Sequence, residues 1–277
     1  WVRRRLRIAR RRRERARHQA PPPPATAPAW VATALPILLF VALVAALLLG
    51  AAELVHLLAH VPAADWLVTL QAAGATLGRV LVAVALGTLW ALPAGLAIGL
   101  SPRLSRALQP VVQVVASFPA PMLFPAVVAL LARAGVGLGT GSVVLMLLGT
   151  QWYILFNVVA GAMAVPVDLR EAARSYRITG WERFKRLLLP SVLPYLVTGW
   201  VTAAGGAWNA SIVSEYVAFQ GRVTTTFGLG ARISAAAEAA DFPRLAASVV
   251  VMAAAVVLFN RLVWRPLNEH AERRYTP

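Results

Sequence analysis

The polar residues that could do chemistry lie in segments where water is scarce. An apolar run at 192–219 contains Trp208, Asn209, Ser211, Ser214 and Glu215, and another at 142–165 contains Gln151, Trp152 and Asn157. A polar or ionisable side chain in a run of membrane length is costly, so each is a candidate for lining a substrate path. Ser211 and Glu215 are four apart and share a helix face. Glu215 is expected to face water, because an unpaired carboxylate in lipid is expensive. For Asn157, Asn209 and Ser211 the other reading is that they glue helices together by hydrogen bonding. Ala203, Ala204, Gly205, Gly206 and Ala207 precede them as a patch of small residues that permits close helix approach.

Catalytic and metal chemistry find little support. The chain has no Cys and four His, at 18, 56, 60 and 270. His56 and His60 are four apart, but no third ligand lies near them, and an interfacial role fits better than a metal. The Gly-rich stretch GVGLGTG at 135–141 lacks the Lys of a phosphate-binding loop and reads as a connection between spans. The chain therefore has no means of hydrolysing ATP by itself, and no bound cofactor is expected.

Hydrophobic residues make up 59% of the 277-residue chain, and the mean hydropathy is +0.67. That composition belongs in a membrane, where a spanning helix needs about 20 apolar residues. Six spans are expected: Trp30–Leu58, about Leu77–Leu100, a segment within Leu108–Leu131, Ser142–Val165, Val192–Phe219 and Leu245–Trp264. The third contains Pro110, Pro119, Pro121 and Pro125. It reads either as a kinked helix or as a re-entrant entry, with 101–117 lying along the cytoplasmic surface. The fold class is all-α, a polytopic integral membrane protein.

Basic residues set the orientation. With the N-terminus inside, the arm, the 101–106 turn, the 166–190 loop and the end from Arg261 carry ten, two, six and four of them, 22 of 27 in all. Arg79, Arg133, Arg222, Arg232 and Arg244 then fall near the outer ends. Both termini and residue 180 should be cytoplasmic, and residue 230 external. Trp30, Trp66, Trp264 and Tyr275 fall near the expected interfaces. The domain plan is a basic, Pro-rich arm (1–29), a membrane domain (30–265) and a cytoplasmic tail (266–277).

The net charge of +16 invites a nucleic-acid reading, but ten arginines crowd the first seventeen residues and a Pro-rich break follows. Such an arm fits an anionic lipid surface better than a nucleic acid.

The segment Asp168–Pro194 carries six basic residues between two spans. Asp168 and Glu171 form a capping pattern for a short helix reaching about Tyr176, and Thr179 and Glu182 repeat it. A second short helix, Trp181–Leu189, should stop at Pro190, with an elbow near Arg177–Gly180. On the first helix, Ala172 and Ala173 are small enough for another surface to come close. From composition alone, a solvated connector is an equal reading.

Glu171-Ala172-Ala173, followed by Leu189-Pro190, resembles the EAA loop of binding-protein-dependent ABC importer permeases. The stretches at 198–217 and 260–275 resemble the nitrate, sulfonate and taurine group, particularly the C-terminal half of its duplicated members. The Trp1 start and Pro-rich break fit such a half. The resemblance implies a permease subunit in a bacterial inner membrane. Its coupling loop would comprise Glu171, Ala172, Ala173, Gly180, Leu189 and Pro190 and dock on a cytoplasmic ATPase dimer, which uses the ATP. It also implies a second permease unit and an extracytoplasmic solute-binding protein, with a small anion as substrate. The family usually has Gly six residues after the Glu; here Arg177 stands there, and Gly180 could supply a bend three residues later. The competing classes are a stand-alone secondary transporter or channel, and a membrane scaffold that recruits lipid or RNA.

Overall fold

A computed structural model describes residues 29–219 and 221–275. The arginine-rich arm, its Pro-rich break and the side chains of Trp30 and Tyr275 lie outside the described residues. The chain divides into two units, one ending at Val55 and one beginning at His56. The first is represented by most of α1 (Ala29–Ala59), apolar over 26 residues at a mean hydropathy of 2.7.

The second unit is built on α2 (Ala63–Leu100), α3 (Pro102–Ala116), α4 (Phe124–Arg133), α5 (Leu138–Ala164), α6 (Val167–Ser175), α7 (Gly180–Arg183) and α8 (Leu189–Ser214). It continues through a hairpin of β1 (Tyr216–Phe219) and β2 (Arg222–Thr225), then α9 (Leu229–Glu238), α10 (Phe242–Phe259) and α11 (Arg265–Tyr275). Five helical stretches are long and apolar enough to cross a membrane, or up to six if the bent pair α3 and 120–133 is one span. The bend between those two halves is 71°. It falls at Ser117–Pro119, where the residue before a proline is pushed out of helical geometry. Both halves of the disputed third segment are therefore helical, and the break lies between them.

The core is a three-helix stack of α2, α5 and α8. Hydrophobicity gives little drive for helix association inside lipid, so close packing of small residues has to supply it. On α2 the buried face repeats every three or four residues through Ala72, Thr76, Val80, Ala83, Gly87, Ala91 and Gly95. A Cβ at Gly95 would lie 2.6 Å from Val158 Cγ1, and one at Gly99 2.6 Å from Ala162 Cβ. Those two glycines let α2 and α5 meet backbone to side chain. Trp200 then ties α8 to α2, its Nε1 donating to Thr88 Oγ1 at 2.8 Å.

Two expectations are corrected. The fifth span ends at Ser214, and 216–219 pairs as a strand with 222–225, Tyr216 opposite Thr225. The apolar run alone does not separate the end of a helix from a short strand. The second loop helix does not stop at Pro190. It continues through a π-helical turn, Phe184–Leu188, into α8. There Leu189 N–H donates to Phe184 O, five residues back. The wider turn accommodates a proline that lacks an N–H to donate. A second π turn, Asn260–Trp264, likewise carries α10 into α11.

Candidate functional site

Two places hold the candidate functional residues, the loop from Val165 to Pro190 and the polar groups of α5 and α8. Pro166 is the N-cap of α6 and supplies no side-chain bond, so Asp168 lies inside the first turn rather than capping it. A carboxylate there still interacts favourably with the helix N-terminus. Thr179 does occupy the N-cap of α7, though its side chain makes no capping bond. Glu182 pairs instead with Arg186, four residues on.

The elbow is a Schellman motif. Ile178 N–H donates to Ala173 O at 2.8 Å and Arg177 N–H to Arg174 O at 2.9 Å. The motif requires a left-handed residue at the position after the cap, usually Gly. Arg177 holds that conformation with φ +54, and Gly180 opens the next turn with φ +55. Thus both ends of the elbow are left-handed, and the first is made by an arginine.

Glu171 and Ala172 are exposed on α6. Ala173 is only 6% exposed and turned into the chain's own packing, which corrects the expectation that both alanines offer themselves to a partner. Around Ala172 the outward apolar residues are Val167, Leu169, Tyr176 and Trp181, the last stacked on Phe184 at 5.1 Å. Leu189 and Pro190 are half-buried where the loop enters α8.

The polar groups of the spans fall into two sets. Trp208 and Ser211 are buried, and Ser211 Oγ donates to Trp208 O at 2.6 Å. Glu215 is fully buried, which corrects the expectation that it faces water. Its carboxylate takes Arg79 Nη1 at 2.7 Å, Thr76 Oγ1 at 2.9 and 3.0 Å, and the Gly230 N–H at 2.9 Å. Thr76 Oγ1 also accepts from the Leu229 N–H at 2.8 Å, so Thr76 and Glu215 together satisfy the first amides of α9. Arg79 extends the network, donating to Gly139 O and to Thr226 Oγ1, each at 3.2 Å. Sequence reasoning missed Thr76 and Arg79. The available signal was an arginine close to an apolar run, which needs a carboxylate at the same level.

Outside that network, Asn209 is exposed, and Asn157 is half-buried with its Nδ2 on Tyr153 O at 2.8 Å. Thr198 and Thr202, also missed, are exposed on the same side of α8 as Asn209, spaced four and seven residues apart. Gln151 and Trp152 are half-buried, and Trp152 meets Trp90 edge to face at 6.1 Å. His60 Nδ1 donates to the His56 carbonyl at 2.7 Å. Among the described residues, no group of three or more His, Asp or Glu could hold a metal ion.

Comparison with known proteins places this architecture. One chain of the inward-facing MetNI methionine ABC transporter crystal structures superposes with a TM-score of 0.62 at 19% identity, covering 76% of this chain and 99% of that one. That likeness concerns the fold. The bicarbonate transport system permease protein CmpB of Synechocystis sp. is 30% identical over 149 residues, 52% of this chain and 50% of the relative. The nitrate import permease protein NrtB of Leptolyngbya laminosa is 25% identical over 68% of this chain and 64% of its own length. The taurine transport system permease protein TauC of Escherichia coli is 27% identical over 75% of this chain and 70% of that protein. The matched region thus spans only half to about two thirds of the first two of these relatives. The model of one family, the binding-protein-dependent transport system inner membrane components, matches residues 83–274, and this chain belongs to that family.

Proposed function

We propose that this chain is the permease subunit of an ATP-driven importer for a small anion of the sulfonate, taurine or nitrate class. The observation that carries the reading is the loop at 166–190 within a chain of this family. It presents a short helix with exposed Glu171 and Ala172, ringed by exposed Tyr176 and Trp181. Such a surface suits a groove on a cytoplasmic ABC ATPase dimer, which would hydrolyse the ATP. A second permease unit and an extracytoplasmic binding protein complete the assembly. The chain itself needs no cofactor. The 22-to-five distribution of basic residues supports an orientation with this loop and both termini in the cytoplasm.

For the path, we assign the exposed polar stripe Thr198, Thr202 and Asn209 of α8 together with half-buried Asn157 of α5, and Gln151 and Trp152 on the side of α5 that meets α2. Trp208, Ser211 and Glu215 would act from behind it by fixing α8. The relatives named for bicarbonate and nitrate transport support a small anion as substrate, and the one named for taurine transport supports a small sulfonate.

The test is co-expression with a candidate ABC ATPase subunit and purification in mild detergent. The ATPase should co-purify with the native chain and be lost from Ala172→Trp. A chain that moves sulfonate or nitrate into vesicles with no ATPase present would overturn the reading.

A further inference from the structure

The seam between α5 and α8 carries two tyrosines that the path described above leaves unassigned. Each ring sits against a glycine of the opposite helix. A Cβ at Gly206 of α8 would lie 2.9 Å from Cε2 of Tyr153 of α5. One at Gly161 of α5 would lie 2.9 Å from Cβ, Cγ and Cδ2 of Tyr195 of α8. Both tyrosines are nevertheless exposed, and among the described residues neither hydroxyl has a hydrogen-bond partner. Tyr195 precedes Thr198, Thr202 and Asn209 by three, seven and fourteen residues, the spacing of one helix face. Tyr153 stands eleven residues before the end of α5, roughly 16 Å along the helix and near the middle of a ~30 Å hydrocarbon layer. A phenol held there against lipid with no partner is costly, so this face calls for something polar opposite it.

The two helices contain no Lys, Arg, His, Asp or Glu along 138–164 or 189–214. An anion crossing this face meets no fixed charge on them and has to be held by hydrogen-bond donors. Most polar groups here have none to spare. Thr198 Oγ1 donates to Pro194 O at 3.1 Å and Thr202 Oγ1 to Thr198 O at 2.9 Å, so both hydroxyl protons are committed to the backbone of α8. Asn157 spends one amide proton on Tyr153 O. An oxyanion only accepts, so the threonines as bonded cannot serve it. The two phenols, the Asn209 amide and the second amide proton of Asn157 remain. Of these the phenols are the most firmly placed, because a glycine notch seats each ring. Donors without charge also hold an anion weakly enough to release it, which conduction requires.

We infer that Tyr153 and Tyr195 are the residues that hold the anion on this face, each donating from an uncharged hydroxyl at one of two successive stations. Gly161, which seats Tyr195, lies eight residues past Tyr153 on α5, so the stations are roughly 12 Å apart. That is too far for one small oxyanion to touch both. Gly206 and Gly161 act as positioning residues, because they set where each ring lies. That this face is the path rests on the function proposed above; the availability of the two hydroxyls does not.

The experiment uses the purified full chain in detergent, without an ATPase, with its tyrosines replaced by 3-fluorotyrosine. Fluorine NMR follows each ring during titration with sodium nitrate and, separately, sodium isethionate. Tyr153→Phe and Tyr195→Phe each delete one signal and so assign it, and phenylalanine keeps the ring in its notch. The Tyr153 and Tyr195 signals should shift saturably with at least one probe, while those of Tyr176 and Tyr216 stay in place. Each response should survive loss of the other tyrosine, as separate stations require. Gly206→Ala should displace the Tyr153 ring and weaken its response by about tenfold, the loss expected when a hydrogen bond to a charged group is broken. The Tyr195 response should persist in that variant, which shows that the fold is kept. No saturable shift at either tyrosine, or a shift shared equally by Tyr176 and Tyr216, would overturn the assignment and leave the two rings as packing groups of the seam. Because no ATPase is present, such a result leaves the co-purification test of the importer reading untouched, and failure of that test would leave this titration to stand by itself.

Discussion

Arg79 Nη1 lies 2.7 Å from Glu215 Oε1 and joins the middle of α2 to the C-cap of α8. The pair is inward-facing, with side-chain exposures of 16% and 0%. Desolvating two charges is repaid only with good geometry and further hydrogen bonds. Thr76, Thr226, Gly139 O and the Gly230 N–H supply those bonds. The hairpin and α9 are thereby pinned to the three-helix core through Glu215.

Removing one member should therefore cost more than removing both. Glu215→Ala leaves the Arg79 guanidinium, the Thr76 hydroxyl and the Gly230 amide without their acceptor, and should destabilise by about 3–5 kcal/mol. Arg79→Met combined with Glu215→Leu should recover a large part of that loss, since apolar replacement of a whole buried pair is often neutral. Thermal unfolding in detergent measures both. A melting point for Glu215→Ala equal to that of the native chain would return this residue to the path.

The spans were legible because length and hydropathy alone define them, and α5, expected at 142–165, runs over 138–164. The loop helices were legible from Asp168, Thr179 and Gly180, although Pro166 and not Asp168 takes the N-cap. What composition could not show was pairing. Thr76 and Glu215 are 139 residues apart, and nothing local to either names the other. The hairpin was hidden for a related reason: Tyr216–Phe219 is apolar enough to extend a span, and only its partner strand identifies it. The inward turn of Ala173 follows from the helix phase set by Pro166 and the elbow, which the residue types at 171–173 do not reveal.

Arg177 should yield a gain on replacement by glycine. A left-handed conformation costs a non-glycine residue about 1–2 kcal/mol, while glycine loses about 0.5–1 kcal/mol more in backbone entropy on folding. Arg177→Gly should thus stabilise by up to ~1 kcal/mol, whereas Arg177→Val should destabilise, because a branched side chain fits the left-handed region poorly. Chemical unfolding reads the sign. A loss of stability in Arg177→Gly would mean the guanidinium makes a contact worth more than the backbone strain.

Sidedness is testable because the native chain has no Cys. Lys185→Cys lies in the exposed loop and Arg222→Cys in the exposed hairpin. A membrane-impermeant maleimide added to intact cells should label the second and not the first. Labelling of the first alone would invert the orientation that the basic residues imply.

The two alanines of the loop give the most discriminating pair of variants. Ala172 is exposed, and its neighbour Ala173 is 6% exposed. Tryptophan at 172 meets solvent in the isolated chain, so fold and insertion should be unchanged. A partner groove fitted to a small side chain would be held off, and overpacking of that contact costs about 1–3 kcal/mol, or roughly 5- to 150-fold in association. Tryptophan at 173 has no such freedom. It would be forced into the chain's own packing, with a similar cost of about 1–3 kcal/mol paid in folding stability. Ala172→Trp should therefore melt at the native temperature and fail to retain an ATPase in pull-down. Ala173→Trp should melt lower, with the elbow loosened, because the Ala173 carbonyl holds the Ile178 N–H. If the two variants exchange these behaviours, α6 presents its opposite face to the partner. If neither alters ATPase retention or stability, the loop is only a connector between spans.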